Sequence, residues 1–388
     1  MSFLSEPPAY DVVVAGGGPA GCAAALCLVR AGRTVLLADA GTGPPKAGEA
    51  LVSVGRLLLA DLGVEGPVLG TGHLPCHGNL SAWGSAELHA VDSLHDPYGH
   101  GWHLDRPLFD RRLRAAAGAA GAEVAERTAV RRCARQPDGA WRLALRDRSG
   151  GDRERTVRCR WVVDATGRGA AIAVRCGARR RTADRLTALH LTLGPPPDAQ
   201  DTTDGRSLVE SDQDGWWYTA LLPSRRRLVA YFTDLDLPVA GGRSAERFRD
   251  RLLATRHVSV RARPHGLTDL PPPRRAPAHS AHLDRVHGDG WIAAGDAAAA
   301  FDPLSSQGIL TALYTGLSAG EAVDARLHGD RAALAAYGTK VATARAAYQH
   351  DHRVVHARET RWPDRPFWAR RQLHPHPHTP LTEGNTSP

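Results

Sequence analysis

Residues 10–39 read YDVVVAGGGPAGCAAALCLVRAGRTVLLAD, and this stretch decides the fold class of the chain. The apolar run at 12–15 predicts a buried parallel strand, and the alanine-rich segment after the glycines predicts a helix to about residue 31. A second apolar run at 34–38 predicts the next strand. The order strand, glycine-rich turn, helix, strand indicates an α/β protein with a Rossmann-type domain.

The glycines of this stretch indicate a dinucleotide site. Gly16, Gly18 and Gly21 have the GxGxxG spacing, with Ala20 inside it, and they permit a tight turn close to a pyrophosphate. The helix that follows directs unpaired N–H groups at the same anion. Asp39 lies 18 residues after Gly21, where a carboxylate accepts from ribose hydroxyls. A glycine-rich turn without a ligand is the alternative, and the complete βαβ context disfavours it.

A second motif near the other end of the chain points to FAD. Residues 288–313, GDGWIAAGDAAAAFDPLSSQGILTAL, predict a strand, a turn and a helix, and they resemble the second FAD signature of flavoprotein monooxygenases and halogenases. The resemblance implies that Asp296 holds the ribityl chain and that Pro303, Gly308 and Ile309 form the turn beside the flavin. The alternative is an ordinary strand–turn–helix in which the aspartate caps the helix.

Two further segments agree with this cofactor. RWVVDATGRGAA (160–171) resembles the DATG stretch of the same superfamily, and GWHLDRPLFDRRLRAAA (101–117) resembles its arginine-bearing helix. The resemblance places Arg106 near the FAD phosphates, and Val130 is assigned to the same site. For Arg106 an ion pair at the start of the helix remains the alternative.

The strand and turn signals predict four parts. A discontinuous FAD-binding domain is expected at 1–75, 100–175 and 280–335, and a substrate domain with an antiparallel sheet at 76–99 and 176–279. A helical segment follows at 336–372. The tail at 373–388 contains HPHPH, which is predicted to be disordered, with metal binding as the alternative.

GEALV (48–52), GHGWHLDR (99–106) and GWWY (215–218) together resemble the tryptophan-halogenase-like flavoproteins. Within that family the resemblance is strongest to FAD monooxygenases that hydroxylate tryptophan, including those that mature quinone-cofactor oxidases. The chain departs from the halogenases because GWWYTALLP (215–223) breaks their GWxWxIP motif. It also has only two lysines, Lys46 and Lys340, and neither matches the halogenase lysine in position.

The resemblance also bears on the source of electrons. NADPH-dependent aromatic hydroxylases carry a DGxxSxxR motif, and the matching place at 164–168 reads DATGR. A tight NADPH site is therefore disfavoured, and a separate flavin reductase is an expected partner.

Five residues are candidates for the chemistry. Glu49 is expected to bind substrate or relay a proton, or else to cap a helix. His100 and His103 are candidate bases or substrate contacts, because an imidazole titrates near neutral pH, and local packing is the alternative. Trp216 and Trp217 alternate across a predicted strand, so one is expected to stack on an aromatic substrate and the other to lie in the core.

The composition limits the classes of partner and the cellular compartment that we expect. The 49 Lys+Arg residues exceed the 41 Asp+Glu residues by 8, but the arginines are scattered, which disfavours nucleic acid. The 6 cysteines have no zinc spacing, so no metal is expected. Because no signal peptide or membrane span is recognisable, we expect a cytoplasmic protein that does not enter the membrane.

These patterns predict an FAD-dependent monooxygenase. It is expected to hydroxylate an electron-rich, tryptophan-like aromatic group through a flavin C4a-hydroperoxide, on a small molecule or on a peptide or protein. An FAD-dependent halogenase and an FAD-linked dehydrogenase are the alternative enzymes. A flavin-containing maturation partner that binds a precursor protein is the alternative of another class.

Overall fold

A computed structural model of the chain describes residues 7–41, 49–148, 154–196, 204–241 and 244–372. Lys46 and the tail at 373–388 lie outside the described residues. The strands are β1 Ala9–Ala15, β2 Val35–Ala38, β3 Ala50–Leu51, β4 Leu74–Cys76, β5 Gly78–Ala82, β6 His89–Asp92, β7 Gly101–His103, β8 Glu123–Ala125, β9 Thr128–Arg135, β10 Trp141–Asp147, β11 Glu154–Asp164, β12 Arg180–Thr182, β13 Leu186–Leu193, β14 Ser207–Asp212, β15 Gly215–Leu221, β16 Arg227–Asp234, β17 Arg274–Pro277, β18 Ala281–Leu283, β19 His287–Gly288, β20 Trp291–Ala293 and β21 Ala299–Ala300.

The helices are α1 Pro19–Arg30, α2 Gly55–Asp61, α3 Glu65–Leu69, α4 Arg106–Ala119, α5 Ala171–Arg175, α6 Pro238–Gly241, α7 Ala245–Leu253, α8 Val258–Ala262, α9 Gly308–Leu327, α10 Ala333–Ala357 and α11 Pro366–Gln372. None of these described helices combines the length and the apolar composition that crossing a bilayer requires.

The first sheet is the Rossmann-type sheet that the glycine motif predicts. Its strand order is β19-β20-β11-β1-β2-β8, and β10 and β9 extend it from the early part of β11. The pairs β1–β2, β1–β11, β11–β20 and β2–β8 are parallel. Val12, Val13 and Val14 are fully buried in β1, within an apolar core that α1 and α9 share with this sheet. The predicted α/β fold is confirmed.

The second sheet has seven strands in the order β17-β13-β16-β15-β14-β5-β6. Five of its six pairs are antiparallel, as predicted, but β14 and β5 run parallel. These two strands are far apart in the chain, with Ser207 opposite Asn79, so no hairpin imposes an antiparallel pairing. The predicted domain boundaries themselves stay a prediction.

The two faces of this second sheet have different roles. Trp217, Val229 and Tyr231 point to one face, where α7 and α8 cover them in an apolar core. The opposite face carries Trp216 and Phe232 and packs against α11. Strand alternation therefore leaves one face to line the space between the two sheets.

Candidate active site

A cavity of about 720 Å³ lies between the first sheet and the open face of the second sheet. On one side it is lined by the residues at the carboxyl ends of the parallel strands, namely Ala15, Ala38, Ala165 and Ala294. This is the edge of a doubly wound sheet at which ligands bind.

The glycine loop forms one wall of the cavity. Gly16, Gly18 and Ala20 line it, and Gly16 has a φ of +115°. A Cβ atom on Gly16 would lie 2.1 Å from the carbonyl oxygen of Ala165, so a larger residue cannot keep this turn. Gly21 does not line the cavity. Its hydrogen side chain lets α1 begin against the loop, because a Cβ there would lie 1.8 Å from the Gly16 oxygen.

Asp39 lies where β2 ends, as predicted, and it lines the cavity. One carboxylate oxygen accepts from the backbone N–H of Gly17 at 3.3 Å, and the other pairs with Arg114 at 3.4 Å. Arg114 also donates to the Gly17 carbonyl at 3.3 Å. Arg114 therefore fixes both the acid and the loop, and no sequence motif points to it.

The arginine on α4 lines the cavity and also makes the ion pair of the alternative interpretation. Arg106 lines the cavity, and its guanidinium is 3.3 Å from the carboxylate of Asp110, one turn further along the helix. Val130, on β9, also lines the cavity. The ion pair orients the guanidinium, which leaves a cation at the wall that suits a phosphate group.

The second motif also lines the cavity, next to the glycine loop, because a Cβ atom on Gly295 would lie 2.7 Å from the Cβ atom of Ala20. Asp296 lines it, 3.6 Å from the guanidinium of Arg168. Pro303, Gly308 and Ile309 line it as well. Helix α9 begins at Gly308 without a side-chain cap, so its first N–H groups and its positive dipole end are available to a ligand that gains negative charge.

These walls fit FAD. The glycine loop and Arg106 suit the pyrophosphate, Asp39 suits a ribose, and Asp296 suits the ribityl hydroxyls. The uncapped start of α9 suits the end of a flavin ring where negative charge develops on reduction. The cavity therefore combines a site for an anion with two carboxylates, which is the set of groups that FAD requires.

The predicted tryptophans lie on opposite faces of β15. Trp216 lines the cavity and stacks on Phe232, with ring centroids 3.9 Å apart. Trp217 is buried on the other face against Tyr231 and Phe248, and its indole N–H donates to Asp212 at 3.3 Å. The structure thus places Trp217 away from the cavity, since successive side chains of a strand alternate.

Glu49 meets a residue that was not assigned from the sequence. The hydroxyl of Tyr218 donates to the Glu49 carboxylate at 2.7 Å, and both residues line the cavity. Glu49 is only 4% exposed. Burial, and then the adjacent carboxylate, raise the pKa of Tyr218 well above its ordinary value, so the phenol keeps its proton. The available signal was the period of two along β15, which puts Tyr218 on the face of Trp216.

The predicted histidines lie behind this pair and do not line the cavity. His103 is buried on β7, and one ring nitrogen donates to the Gly205 carbonyl at 2.7 Å. Burial lowers its pKa, but the Cys76 thiol and the Glu49 carboxylate outweigh burial and hold the pKa above 6.5. His100 donates to the Gly101 carbonyl at 2.8 Å, which is the local hydrogen bond of the alternative interpretation.

A further histidine reaches the cavity. His190 lines it from β13, next to Ala188 on the same face. Burial and the nearby Arg274 guanidinium lower the pKa of His190, against the opposing effect of Glu49. The sequence contained a signal for it, because His190 is the one ionisable residue in the strand LTALHLTL.

The chain matches the family model described as FAD binding domain over residues 9–350. LodB of Marinomonas mediterranea, described as an FAD-dependent oxidoreductase, is 31% identical over 366 residues, which cover 93% of this chain and 96% of LodB. A tryptophan 2-halogenase of Chondromyces crocatus is 26% identical over 340 residues, which cover 84% of this chain and 63% of the halogenase.

Two solved structures are similar over most of the chain. QhpG, a peptidyl tryptophan dihydroxylase essential for tryptophylquinone cofactor biogenesis, has a TM-score of 0.75 at 25% identity, covering 95% of this chain and 79% of QhpG. The flavin-dependent halogenase CmlS has a TM-score of 0.79 at 24% identity, covering 95% of this chain and 68% of CmlS. At that identity, the likeness to CmlS shows the fold alone.

Proposed function

This chain belongs to the FAD binding domain family and is an FAD-dependent oxidoreductase, and we propose that it is a monooxygenase that hydroxylates a tryptophan-like aromatic group. The predicted cofactor and the resemblance to tryptophan-halogenase-like flavoproteins are confirmed by the family match and the relatives. The proposal consists of hydroxylation as the reaction, the class of substrate and the roles of individual residues.

The observation that carries the proposal is the part of the cavity wall that the second sheet forms. There the rings of Trp216 and Phe232 lie on the same sheet face as Tyr218, whose hydroxyl is bonded to Glu49. Aromatic side chains offer an electron-rich ring a stacking surface. A buried carboxylate beside that surface can accept a proton from the bound substrate ring.

Each part of this wall has a separate role in the proposed reaction. Bound FAD, when reduced, supplies the activation of O₂. Trp216 and Phe232 orient the substrate ring and exclude water from it. The Glu49 carboxylate accepts the proton that the ring loses when it becomes aromatic again after oxygen transfer, and the Tyr218 hydroxyl holds that carboxylate in place.

The lysine content supports oxygenation over halogenation. Lys340, on α10, pairs with Glu321 at 3.4 Å, and no lysine of the described ranges lines the cavity. Lys46 precedes the GE pair, where the halogenase motif has no lysine. The halogenase therefore remains an alternative that would need a different group to capture the halogen.

The substrate is proposed to be a tryptophan-like group on a peptide or protein. The support is the likeness at 25% identity to a peptidyl tryptophan dihydroxylase, together with the aromatic wall of the cavity. A free aromatic small molecule is the alternative substrate. Electrons are proposed to come from a separate flavin reductase, because the DATGR stretch at 164–168 lacks the NADPH-linked motif.

The test is product analysis by mass spectrometry. The photoreduced holoenzyme is mixed with O₂, a tryptophan-containing peptide or free tryptophan, and bromide. Gain of oxygen without bromine is the expected result. Gain of bromine would instead assign a halogenase, and loss of two hydrogens would assign a dehydrogenase. Unchanged substrates together with stable co-purification of a protein would favour a maturation partner.

Two variants test the roles at the wall. Glu49→Gln is expected to slow product formation by about 10²–10⁴-fold, the usual contribution of a general base. Tyr218→Phe should slow it less, because the carboxylate remains. Both should retain FAD, since neither residue is placed at the pyrophosphate. Tyr98→Phe, at an exposed tyrosine, is the control. Full activity of Glu49→Gln would remove the base role.

A further inference from the structure

Three potential metal ligands meet beside the cofactor cavity. Asp302 lies between β21 and α9, whereas His352 and His356 are one turn apart on α10. One ligand atom from each side chain lies within 4.8 Å of the other two. Asp302 and His356 are buried and His352 is half-buried. Histidines four residues apart share one face of a helix, so both rings point at the aspartate.

His356 has a free lone pair in the interior. Its Nδ1 donates to the backbone carbonyl of His352 at 2.8 Å, which leaves Nε2 unprotonated. Nε2 is buried and has no hydrogen-bond partner in the described structure. Metal-binding histidines have this arrangement, with one ring nitrogen donating to a carbonyl and the other facing the metal. Burial, with a smaller effect of the His352 ring, lowers the pKa of His356 to about 3 against the opposing effect of Asp302.

Asp302 is oriented for the same position. One carboxylate oxygen accepts from the backbone N–H of Leu304 at 2.8 Å, and the other lies 3.2 Å from the Nε2 atom of His352. Burial raises the pKa of Asp302, but the interaction with His352 and the backbone hydrogen bond outweigh burial and hold it below its ordinary value. The group is therefore an ionised oxygen ligand facing an imidazole.

We propose that Asp302, His352 and His356 bind one divalent transition-metal ion of the zinc class. Two imidazole nitrogens and one carboxylate oxygen are a ligand set that zinc accepts, and a water on the half-exposed side of His352 would complete a tetrahedron. Binding through the Nε2 atom of His352 replaces the hydrogen bond between that atom and Asp302, and the neutral ring then carries its proton on Nδ1. The nearby cation Arg371 is neutralised by Asp234 at 2.8 Å.

The metal would connect two parts of the chain that move independently in the unfolded state. It would tie α10 to the turn before α9, and the residues after Asp302 in that turn, Pro303 and Ser306, line the cofactor cavity. Its role is therefore to hold the wall beside the flavin end of the cavity. The site is independent of the proposed hydroxylation, because it uses none of the residues assigned to that reaction.

The test is zinc binding by the full-length holoenzyme. After treatment with a chelator and dialysis, the protein is titrated with ZnCl₂ against a chromophoric chelator, and bound zinc is counted by mass spectrometry of the metal. One zinc per chain is expected. His352→Ala and His356→Ala should each weaken binding by at least about 100-fold, since even outer-shell changes cost 10–100-fold. Wild type should also gain thermal stability from zinc, and the two variants should not.

The controls separate this site from other histidines. His350→Ala changes an exposed residue on the same helix and should keep the zinc. A variant with alanine at His374, His376 and His378 tests the tail, and it should also keep the zinc. Loss of zinc only in the tail variant, or no stoichiometric zinc in wild type, would overturn the proposal. Asp302→Asn changes the third ligand while it preserves the size of the side chain. Bound FAD shows that each variant is folded.

Discussion

At the scale of single residues, Glu359 is a fully buried carboxylate that accepts hydrogen bonds from three residues. Arg361 pairs with it at 2.7 Å, the Ser211 hydroxyl donates at 2.6 Å and the backbone N–H of Gly84 donates at 2.9 Å. Burial raises the pKa of Glu359, but these donors outweigh burial and lower the pKa below 4.5. The ionised side chain therefore stabilises the contact between the segment after α10 and the second sheet.

The stability of this contact should depend on pH. Glu359→Gln is expected to lower the free energy of unfolding by about 1–3 kcal/mol near pH 7, because it removes hydrogen bonds to a charge. In wild type, the unfolded chain binds more protons than the folded chain as the pH falls from about 4.5 through the lowered folded pKa. The advantage of wild type is thus present above 4.5 and is lost below it.

The measurement is urea unfolding of both proteins at several pH values from neutral to acidic. The difference between them should narrow as the pH falls. Glu87→Gln, at an exposed carboxylate, is the control and should change stability little. A difference between wild type and Glu359→Gln that stays constant with pH would contradict the assigned ion pair.

At the scale of elements, α1 and α9 approach each other through glycine. A Cβ atom on Gly316 would lie 2.2 Å from the carbonyl oxygen of Ala20, and one on Gly320 would lie 2.8 Å from the Cβ atom of Cys27. Pro19 and Gly308, the first residues of the two helices, both line the cofactor cavity. Their close packing therefore sets the distance between the glycine loop, where α1 begins, and the start of α9.

Gly316→Ala should separate these helices. We expect it to lower the free energy of unfolding by about 1–3 kcal/mol, as overpacking does, and to weaken FAD binding, because α1 must shift. The measurements are chemical denaturation and FAD titration of the apoprotein. Gly118→Ala is the matched control: its Cβ would meet Val124 at an ordinary 3.5 Å, and a helical alanine should stabilise by up to about 1 kcal/mol. Equal behaviour of the two variants would refute the packing argument.

At the scale of the whole molecule, the C-terminal segment closes the open face of the second sheet. Phe367 and Trp368 on α11 are fully buried in the cluster that contains Trp216 and Phe232. Arg371 pairs with the buried Asp234 at 2.8 Å. The last helix thus packs beside the aromatic wall, on the sheet face that lines the cavity.

Two truncations should distinguish the contribution of α11 to stability from the contribution of the tail at 373–388. Ending the chain at residue 372 should leave thermal stability and FAD content unchanged, whereas ending it at residue 359 should destabilise the protein. The second truncation exposes apolar surface where removal of a single buried aromatic ring costs about 3–5 kcal/mol. Thermal unfolding followed by flavin fluorescence distinguishes the two. A stable protein ending at residue 359 would show that α11 is dispensable.

The sequence by itself determined the features that depend on local chemistry. The turn at Gly16, the helix after it and the acid at Asp39 were predictable because a pyrophosphate-binding turn requires these residue types at this spacing. The position of Asp296 followed in the same way from the second motif. Alternation along β15 predicted that Trp216 and Trp217 face opposite sides.

Only the tertiary structure decided which distant residues meet. Tyr218 reaches Glu49 across 169 residues of chain, and Asp302 lies beside two histidines of α10 about 50 residues later. The parallel pairing of β14 with β5 and the position of Arg114 against Asp39 are of the same kind. Such contacts depend on how whole elements pack against one another, and spacing within a sequence motif carries no information about that packing.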